Sequence, residues 1–400
     1  MGRESYSYQR FNRQSNRQSN RHSNTRKSFR KVFPHCSDLV VCPLERDKTY
    51  NYFERFDLKN KTVETTISKG ANGVAMLLTF QKEYNGFFYT SKAVMKILNT
   101  EKGGKDRDNL FHEWMAGIAI NKSMCNRFPC FVRTYGAFLE DNSGVPVNGV
   151  PLRMLTTAPS IEQACLTAGR QAIMVEYVEG ITFSELLKSN LNAGRIDDIP
   201  QLLFQVYYAL SALGDKFTHN DLHLKNVLVH RPHPSQSLAF EYVMPTGELV
   251  RFRCNYVAKI IDYGRCFVER IADEVDEIKT VPACTESRCT KDTPGDRCGF
   301  KYYDKEGSIH FKQANISQDL RMMRSAVEKM KEKGLWNGPS VVFEGDYVTP
   351  EHKESGWPSK ICQVHDALKV LTRHVQNKGH GDIYGTLRVT GKTEWTFESE

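Results

Sequence analysis

Two short segments bring together the side chains with the most legible chemistry. The first, Phe217-Thr-His219-Asn-Asp221-Leu-His223-Leu-Lys225-Asn226-Val-Leu-Val229, sets an Asp five residues before an Asn and then runs into an apolar stretch. Phosphoryl transfer needs that arrangement: the Asp accepts or orients the proton of an attacking hydroxyl, and the Asn carbonyl oxygen holds a magnesium ion. On a loop at this spacing both groups can face one cleft. A polar loop between a helix and a strand would look similar, so the motif needs companions. The second segment, Val257-Ala-Lys-Ile-Ile261-Asp262-Tyr263-Gly264-Arg265, delivers a carboxylate at the end of an apolar strand. Asp262 suits bridging a metal ion to phosphates, and Gly264 permits the chain to turn away.

Two upstream features fit the same chemistry. Ala93-Val-Met-Lys96 puts a lysine at the end of an apolar strand, and Glu113 follows on a stretch with helical spacing. A buried lysine is costly unless paired, so Glu113 is its natural partner and would aim the ammonium at phosphate oxygens. Ahead of Lys96, Ile67-Ser-Lys-Gly70-Ala-Asn-Gly73 offers glycines that let backbone N–H groups approach phosphates closely. An ordinary hairpin would also explain them, and their position before Lys96 is what gives them weight.

These residues need elements to hold them. Ile67 to Phe80 and Gly86 to Leu98 read as strands around a polar turn at 81–85, and Asp108 to Lys122 reads as a helix through Leu110, Trp114 and Ile118. Phe131 to Phe138 reads as a strand, 141–169 as a loop-like insertion at its start, and Ala172 to Val178 as a buried strand. Helices are expected at Thr182 to Ser189, Ile199 to Leu213, Ser317 to Glu332 and Ser359 to Gln376. Strands with one helix followed mostly by helices imply an α+β chain of two lobes.

Taken together the four features resemble the protein kinase family, from about Ile67 to at least Asp319. The resemblance implies a bilobal protein-kinase-like fold, with an antiparallel N-lobe sheet and one helix, and a mainly helical C-lobe. It divides the chain into an arm at 1–32, an N-lobe and hinge at 33–178, and a C-lobe at 179–400 with a hairpin insertion at about 230–256. It implies ATP with Mg2+, or Mn2+ in its place, and transfer to serine or threonine hydroxyls of protein substrates. Asp221 would be the catalytic base, and Asn226 and Asp262 the metal ligands. Lys96 would contact the α and β phosphates while paired with Glu113, with Ser68, Gly70 and Gly73 in the phosphate loop. Glu176, Tyr177 and Val178 look like the hinge that holds adenine through its backbone, beside a small gatekeeper, Val175. His219 and Gly264 would support the site, and Asp319 would brace the catalytic loop from below.

A narrower resemblance is to haspin-like kinases, through His223, and to serine/threonine kinases of large DNA viruses, through Phe128-Pro-Cys-Phe-Val-Arg-Thr-Tyr-Gly136 and Lys259 to Arg265. The 35 residues between Asn226 and Asp262 fit that group, with a hairpin expected around Pro245-Thr-Gly247. Some positions depart from the family. Ser68 stands for the first loop glycine, and Asn220 for the Arg that couples a phosphorylated activation loop to the site. Tyr263 stands for the usual Phe, and no clear Ala-Pro-Glu follows. Either His223 or Lys225 could neutralise the transferring group, Lys225 keeping its charge at pH 7. A small-molecule phosphotransferase and a non-catalytic scaffold are the competing readings.

Composition bounds the remainder. The net charge of +8 is concentrated in residues 1–31, which carry nine Lys or Arg against one acid, Glu4. Repeats of the type Asn12-Arg-Gln-Ser15 in that arm bury little, so it reads as a solvated arm, with polyanion or nucleic-acid contact as its functional alternative. Eleven cysteines without a secretory signal read as thiols of a reducing cytoplasmic or nuclear-type compartment. For a viral protein that compartment is the host cytoplasm, with the virion as a further place. Cys284, Cys289 and Cys298 match no strong zinc pattern and read as free thiols. No apolar run is long enough for a membrane span, and Tyr6 stands where a myristoylation signal wants Ser or Thr.

Overall fold

The computed structural model describes residues 61–69, 73–84, 87–98, 108–147, 150–154, 171–269, 318–336, 342–343, 360–361, 363–375 and 382–399. The chain divides into two compact units, Met1–Thr62 with Phe80–Ser91 and Val63–Thr79 with Lys92–Glu400. In the first unit only Lys61, Thr62 and strand residues 80–84 and 87–91 are described. Every candidate site residue belongs to the second unit. The basic arm, Gly70, Cys284, Cys289 and Cys298 lie outside the described residues.

The architecture is α+β. Strands β1 (Lys61–Lys69), β2 (Gly73–Tyr84), β3 (Phe87–Leu98), β4 (Thr134–Val147), β5 (Val150–Met154) and β6 (Gln171–Glu176) form one sheet in the order β1-β2-β3-β6-β4-β5. Helix α1 (Asp108–Ser123) covers it, burying Leu110 and Trp114 against Val132, Ala137, Ile173 and Val175. The apolar spacing thus yields both a helix and a face, and that face carries one acid inward, Glu113.

Beyond β6 a short strand, β7 (Gly180–Thr182), leads into α2 (Phe183–Asn192). Thr182 starts that helix with a capping box: its hydroxyl accepts the Glu185 N–H and the Glu185 carboxylate accepts the Thr182 N–H. Gly180 is required there because a Cβ would lie 2.2 Å from the Val229 carbonyl oxygen. Helix α3 (Ile199–Leu213) is buried almost all round, as an apolar helix in a core should be. It leads through a 3-10 turn (Gly214–Lys216) to β8 (Phe217–Thr218), which pairs with β13 (Phe267–Val268).

Strands β9 (Val227–His230) and β12 (Val257–Ile260) pair antiparallel, with β7 on the other side of β9. Between them runs a hairpin, β10 (Ser237–Val243) and β11 (Leu249–Cys254), turning at Pro245-Thr-Gly247 with Gly247 at φ 86°. The hairpin is packed on α3, where Phe204 meets Tyr242 at 5.1 Å and Phe252 at 5.3 Å. Helix α4 (Arg321–Glu332) follows a 3-10 turn (Gln318–Leu320), and strands β14 (Val342–Phe343) and β15 (Lys360–Ile361) pair parallel. Helix α5 (Val364–Val375) precedes β16 (Ile383–Val389) and β17 (Thr396–Ser399), which extend the hairpin into a sheet ordered β11-β10-β16-β17.

Several expectations need correction. Ile67 to Phe80 is not one strand: it holds the end of β1 and most of β2. The start of the 141–169 stretch is strand, because the pairing irregularity between Glu140 and Val145 absorbs the polar residues that read as a loop. Within Ser359 to Gln376, Lys360–Ile361 is strand and the helix spans Val364–Val375, with the Asp366 carboxylate accepting the Gln363 N–H at 3.2 Å just ahead of it. Among the described residues after Glu179 the chain is not mainly helical, since four helices share it with the four-stranded sheet. Alternating burial of Leu238, Phe240 and Tyr242 marks that sheet, as does Leu387 with Val389. Met322 and Met323 are buried in the core. Among the described residues no helix is long and apolar enough to cross a membrane.

Candidate active site

Strand register brings the two opening segments together. Because Ile260 faces Val227 across the β9–β12 ladder, the residues just before β9 and just after β12 become neighbours. The Ile261 N–H donates to the Asn226 carbonyl at 3.0 Å. The Asn226 amide donates to the Asp221 carbonyl at 3.0 Å, which turns its Oδ1 away from that bond as an acceptor. The 35-residue insert does not disturb this geometry, since it leaves and returns as one hairpin. On α3, Gln205 pins the returning strand by accepting the Ala258 N–H at 2.9 Å and donating to the Tyr256 carbonyl at 3.0 Å.

The loop before Asp221 is held from inside. Asp319 accepts the His219 N–H at 2.7 Å and the Asn220 N–H at 3.0 Å. Burial pushes Asp319 up to about 7, while those two N–H groups pull it down. Asp319→Ala orphans both donors, at about 1–3 kcal/mol each. The expected result is a loss of about 2–4 kcal/mol in urea unfolding, with Asp319→Asn retaining part of it.

His219 is fully buried and bonded on both ring nitrogens: Nδ1 accepts the Asp221 N–H at 3.3 Å, so Nε2 donates to the Ile261 carbonyl at 2.9 Å. That pattern requires a neutral ring, and burial lowers its pKa in the same sense. A histidine whose folded pKa lies below its unfolded value of about 6.5 carries no penalty above that pH and costs stability as pH falls through it. Thermal unfolding between pH 7 and 5 should therefore be steeper for wild type than for His219→Gln, which donates and accepts without titrating. Equal slopes would remove His219 from the acid limb.

Asn220 and Asp262 both adopt left-handed backbone, at φ 61° and 69°. Asn and Asp are the non-glycine residues that tolerate it best, and such positions cluster at functional sites. Asn220 uses this to donate its amide to the Arg265 carbonyl at 3.0 Å. Gly264 was expected to make the turn by conformational freedom. It sits instead in a turn closed by the Cys266 N–H on the Tyr263 carbonyl at 3.2 Å, and the positive φ falls on Asp262. Tyr263 is buried, with its hydroxyl accepting the Val132 N–H and its one proton lying within reach of both the Ile260 carbonyl at 2.9 Å and the Val132 carbonyl at 3.0 Å.

Lys96 reaches across to both acids. Its Nζ lies 2.5 Å from Glu113 Oε1 and 3.5 Å from Asp262 Oδ1. Burial alone would lower the Lys96 pKa, but the Asp262 and Glu113 carboxylates outweigh it and keep the ammonium charged. Lys96 in turn lowers the Asp262 pKa against burial. Asp262 keeps 46% of its side chain exposed, so this carboxylate is ionised and accessible at once. Ser68 is an exposed residue of β1 and Gly73 opens β2, with Gly70 in the undescribed stretch between them.

Pairing of β3 with β6 sets Ala93 opposite Glu176 and Lys96 opposite Ile173. The Glu176 N–H donates to the Arg133 carbonyl at 2.8 Å, and its carboxylate accepts the Arg133 N–H at 3.0 Å. The same carboxylate meets Lys259 Nζ at 3.4 Å in a buried pair that the sequence reading missed. Val178 is buried in the cluster beneath α1. Of the two residues left as alternatives beside Asp221, Lys225 is exposed, whereas His223 is half-buried with Nδ1 accepting the Lys225 N–H at 3.2 Å. Burial and then Arg321 lower the His223 pKa, so this ring is neutral near pH 7.

Two further residues escaped sequence reasoning. Arg321 Nη1 lies 3.4 Å from Asp221 Oδ1, and Arg265 Nε lies 4.0 Å from Oδ2. Burial raises the Asp221 pKa, and Arg265, His219 and Arg321 counter it. Arg265 follows Asp262 by three residues, but nothing in the sequence links Arg321 to a loop 100 residues earlier. The described cysteines 125, 130, 254 and 266 are buried thiols, with burial pushing Cys125 and Cys130 up to about 12, which makes those two poor nucleophiles. Among the described residues no three His, Cys, Asp or Glu side chains converge as a metal site. No protein-family model and no curated protein matches this chain.

Proposed function

We propose that this chain is an ATP- and Mg2+-dependent protein kinase of bilobal fold, transferring the γ-phosphoryl group to serine or threonine hydroxyls. The observation that carries the reading is the charged chain Glu113–Lys96–Asp262, at 2.5 and 3.5 Å, ending beside the Asn226–Asp221 loop. Lys96 is kept cationic and would meet phosphate oxygens, while Asp262 and the Asn226 Oδ1 would be the two protein oxygens that hold a metal ion. Mg2+ suits two protein oxygens, because it completes its shell with phosphate and water. Bound Mg–ATP would supply the phosphoryl group and neutralise its charge. Asp221 would orient the acceptor hydroxyl and take its proton. The Glu176 carbonyl and the Val178 backbone would hold adenine.

The resemblance to haspin-like kinases of large DNA viruses makes protein hydroxyls the first acceptors to test. Purified protein should transfer label from γ-labelled ATP and magnesium to serine or threonine of a generic protein, and Asp221→Ala should abolish it. Transfer only to small alcohols would reassign the chain to a small-molecule phosphotransferase. No ATP-dependent turnover by folded protein would leave a scaffold.

A further inference from the structure

We infer that Arg321 is the positioning residue for Asp221, holding its carboxylate in the orientation the acceptor hydroxyl needs. The inference rests on the kinase reading above.

The three residues Asp319-Leu320-Arg321 do two separate jobs on one loop. Asp319 takes the backbone N–H groups of His219 and Asn220, and Arg321 faces the Asp221 side chain with Nη1 3.4 Å from Oδ1. One short span therefore sets both where the loop lies and where its carboxylate points. The span cannot drift. Leu320, Met322 and Met323 are wholly buried, and the Tyr207 hydroxyl donates to the Asp319 carbonyl at 2.7 Å while accepting the Met323 N–H at 3.0 Å.

The other carboxylate oxygen faces a second guanidinium, with Arg265 Nε 4.0 Å from Oδ2. Arg265 is tied to the loop through its own carbonyl, which accepts the Asn220 amide. Guanidinium groups from two separate segments on its two oxygens favour one orientation of the carboxylate, with Arg321 the nearer. The residue before Asp221 is an uncharged Asn whose amide goes to the Arg265 carbonyl, and the cation facing Oδ1 is Arg321 at the start of α4.

A purely structural pair is the competing explanation. Arg321 and Asp221 keep 19% and 20% of their side chains exposed. Breaking a largely buried pair costs stability whatever its role, whereas only a misplaced reacting group lowers the kcat of the molecules that stay folded. The two roles therefore separate experimentally.

The test compares full-length wild type, Arg321→Gln, Arg321→Lys and Arg321→Met, with ATP, magnesium and myelin basic protein as acceptor. Arg321→Gln should lower kcat by roughly 10- to 100-fold with an unchanged KM for ATP. Arg321→Lys should recover part of the loss, since it restores the charge without the planar fork. Should Arg321→Gln fail to fold, Arg321→Met keeps the apolar stem and decides by the same split. An unchanged kcat overturns the inference. So does a raised kcat, which would make Arg321 a mask over the base, or a KM for ATP that worsens together with the melting temperature. Wild type without any transfer removes the kinase reading and this inference with it; an active wild type with an indifferent Arg321→Gln removes the inference alone.

Discussion

Asp221→Asn should lose phosphoryl transfer by roughly 10²- to 10⁴-fold, the span expected when a positioned general base is removed. The amide is nearly isosteric, so the loop should stay where it is. Its backbone anchors do not pass through the Asp221 side chain: Asp319 holds the two preceding N–H groups, and Asn226 holds the Asp221 carbonyl. Burial already works against the charged carboxylate, so removing the charge carries little folding cost. ATP affinity should be unchanged, because the residues assigned to the nucleotide are elsewhere. Calorimetric ATP titration alongside label transfer checks both halves. A folded Asp221→Asn protein that transfers at the wild-type rate would falsify the role given to this residue.

Lys96 should show the second large effect, in which stability and activity come apart. Lys96→Met leaves Glu113, only 6% exposed, without its cation and close to Asp262. Stranding a buried charge costs about 3–5 kcal/mol, and the lower end applies here because Lys96 keeps 24% of its side chain exposed. The double variant Lys96→Met/Glu113→Leu should regain most of that stability, since two apolar groups replace a pair that must be desolvated. Both variants should lose phosphoryl transfer by roughly 10²-fold or more, the cost of removing a charge-stabilising group. Urea unfolding with label transfer reads the cycle. Restored activity in the stable double variant would reduce Lys96 to a structural lysine.

Local elements were legible where one periodicity dominated. Ile199 to Leu213 and the stretch around Leu110, Trp114 and Ile118 came out as helices, since their apolar residues must face a core. Reading was poorer where short polar residues sit inside strands. Asp141 to Gly144 look like a turn by composition, but the β4–β5 pairing carries them as an irregularity. Ile383 to Val389 gave no expectation at all, because its partner β10 lies about 145 residues earlier and pairs parallel, a contact with no local signature.

The same distinction runs through the site. Asp221 and Asn226 could be singled out because their five-residue spacing is a covalent property of one loop, and the Lys96–Glu113 pairing followed from the cost of burying a lysine alone. Sequence also marked Asp262, by the apolar run that delivers it. What it left open was every relation that depends on strand register or on side chains meeting across the fold. The β9–β12 register decides that Asn226 and Asp262 are neighbours, and the burial of Glu176 decides that it spends its carboxylate on Lys259. His223 and Lys225 were indistinguishable as residue types, and only burial separates a neutral ring from an exposed amine. Arg321 is the extreme case: a charged residue at a helix start reads as surface until the packing of Leu320 and Met322 turns it toward Asp221. Spacing along the chain fixes which groups can act together locally, while orientation and charge state arise from desolvation and long-range pairing, which exist only once the chain has folded.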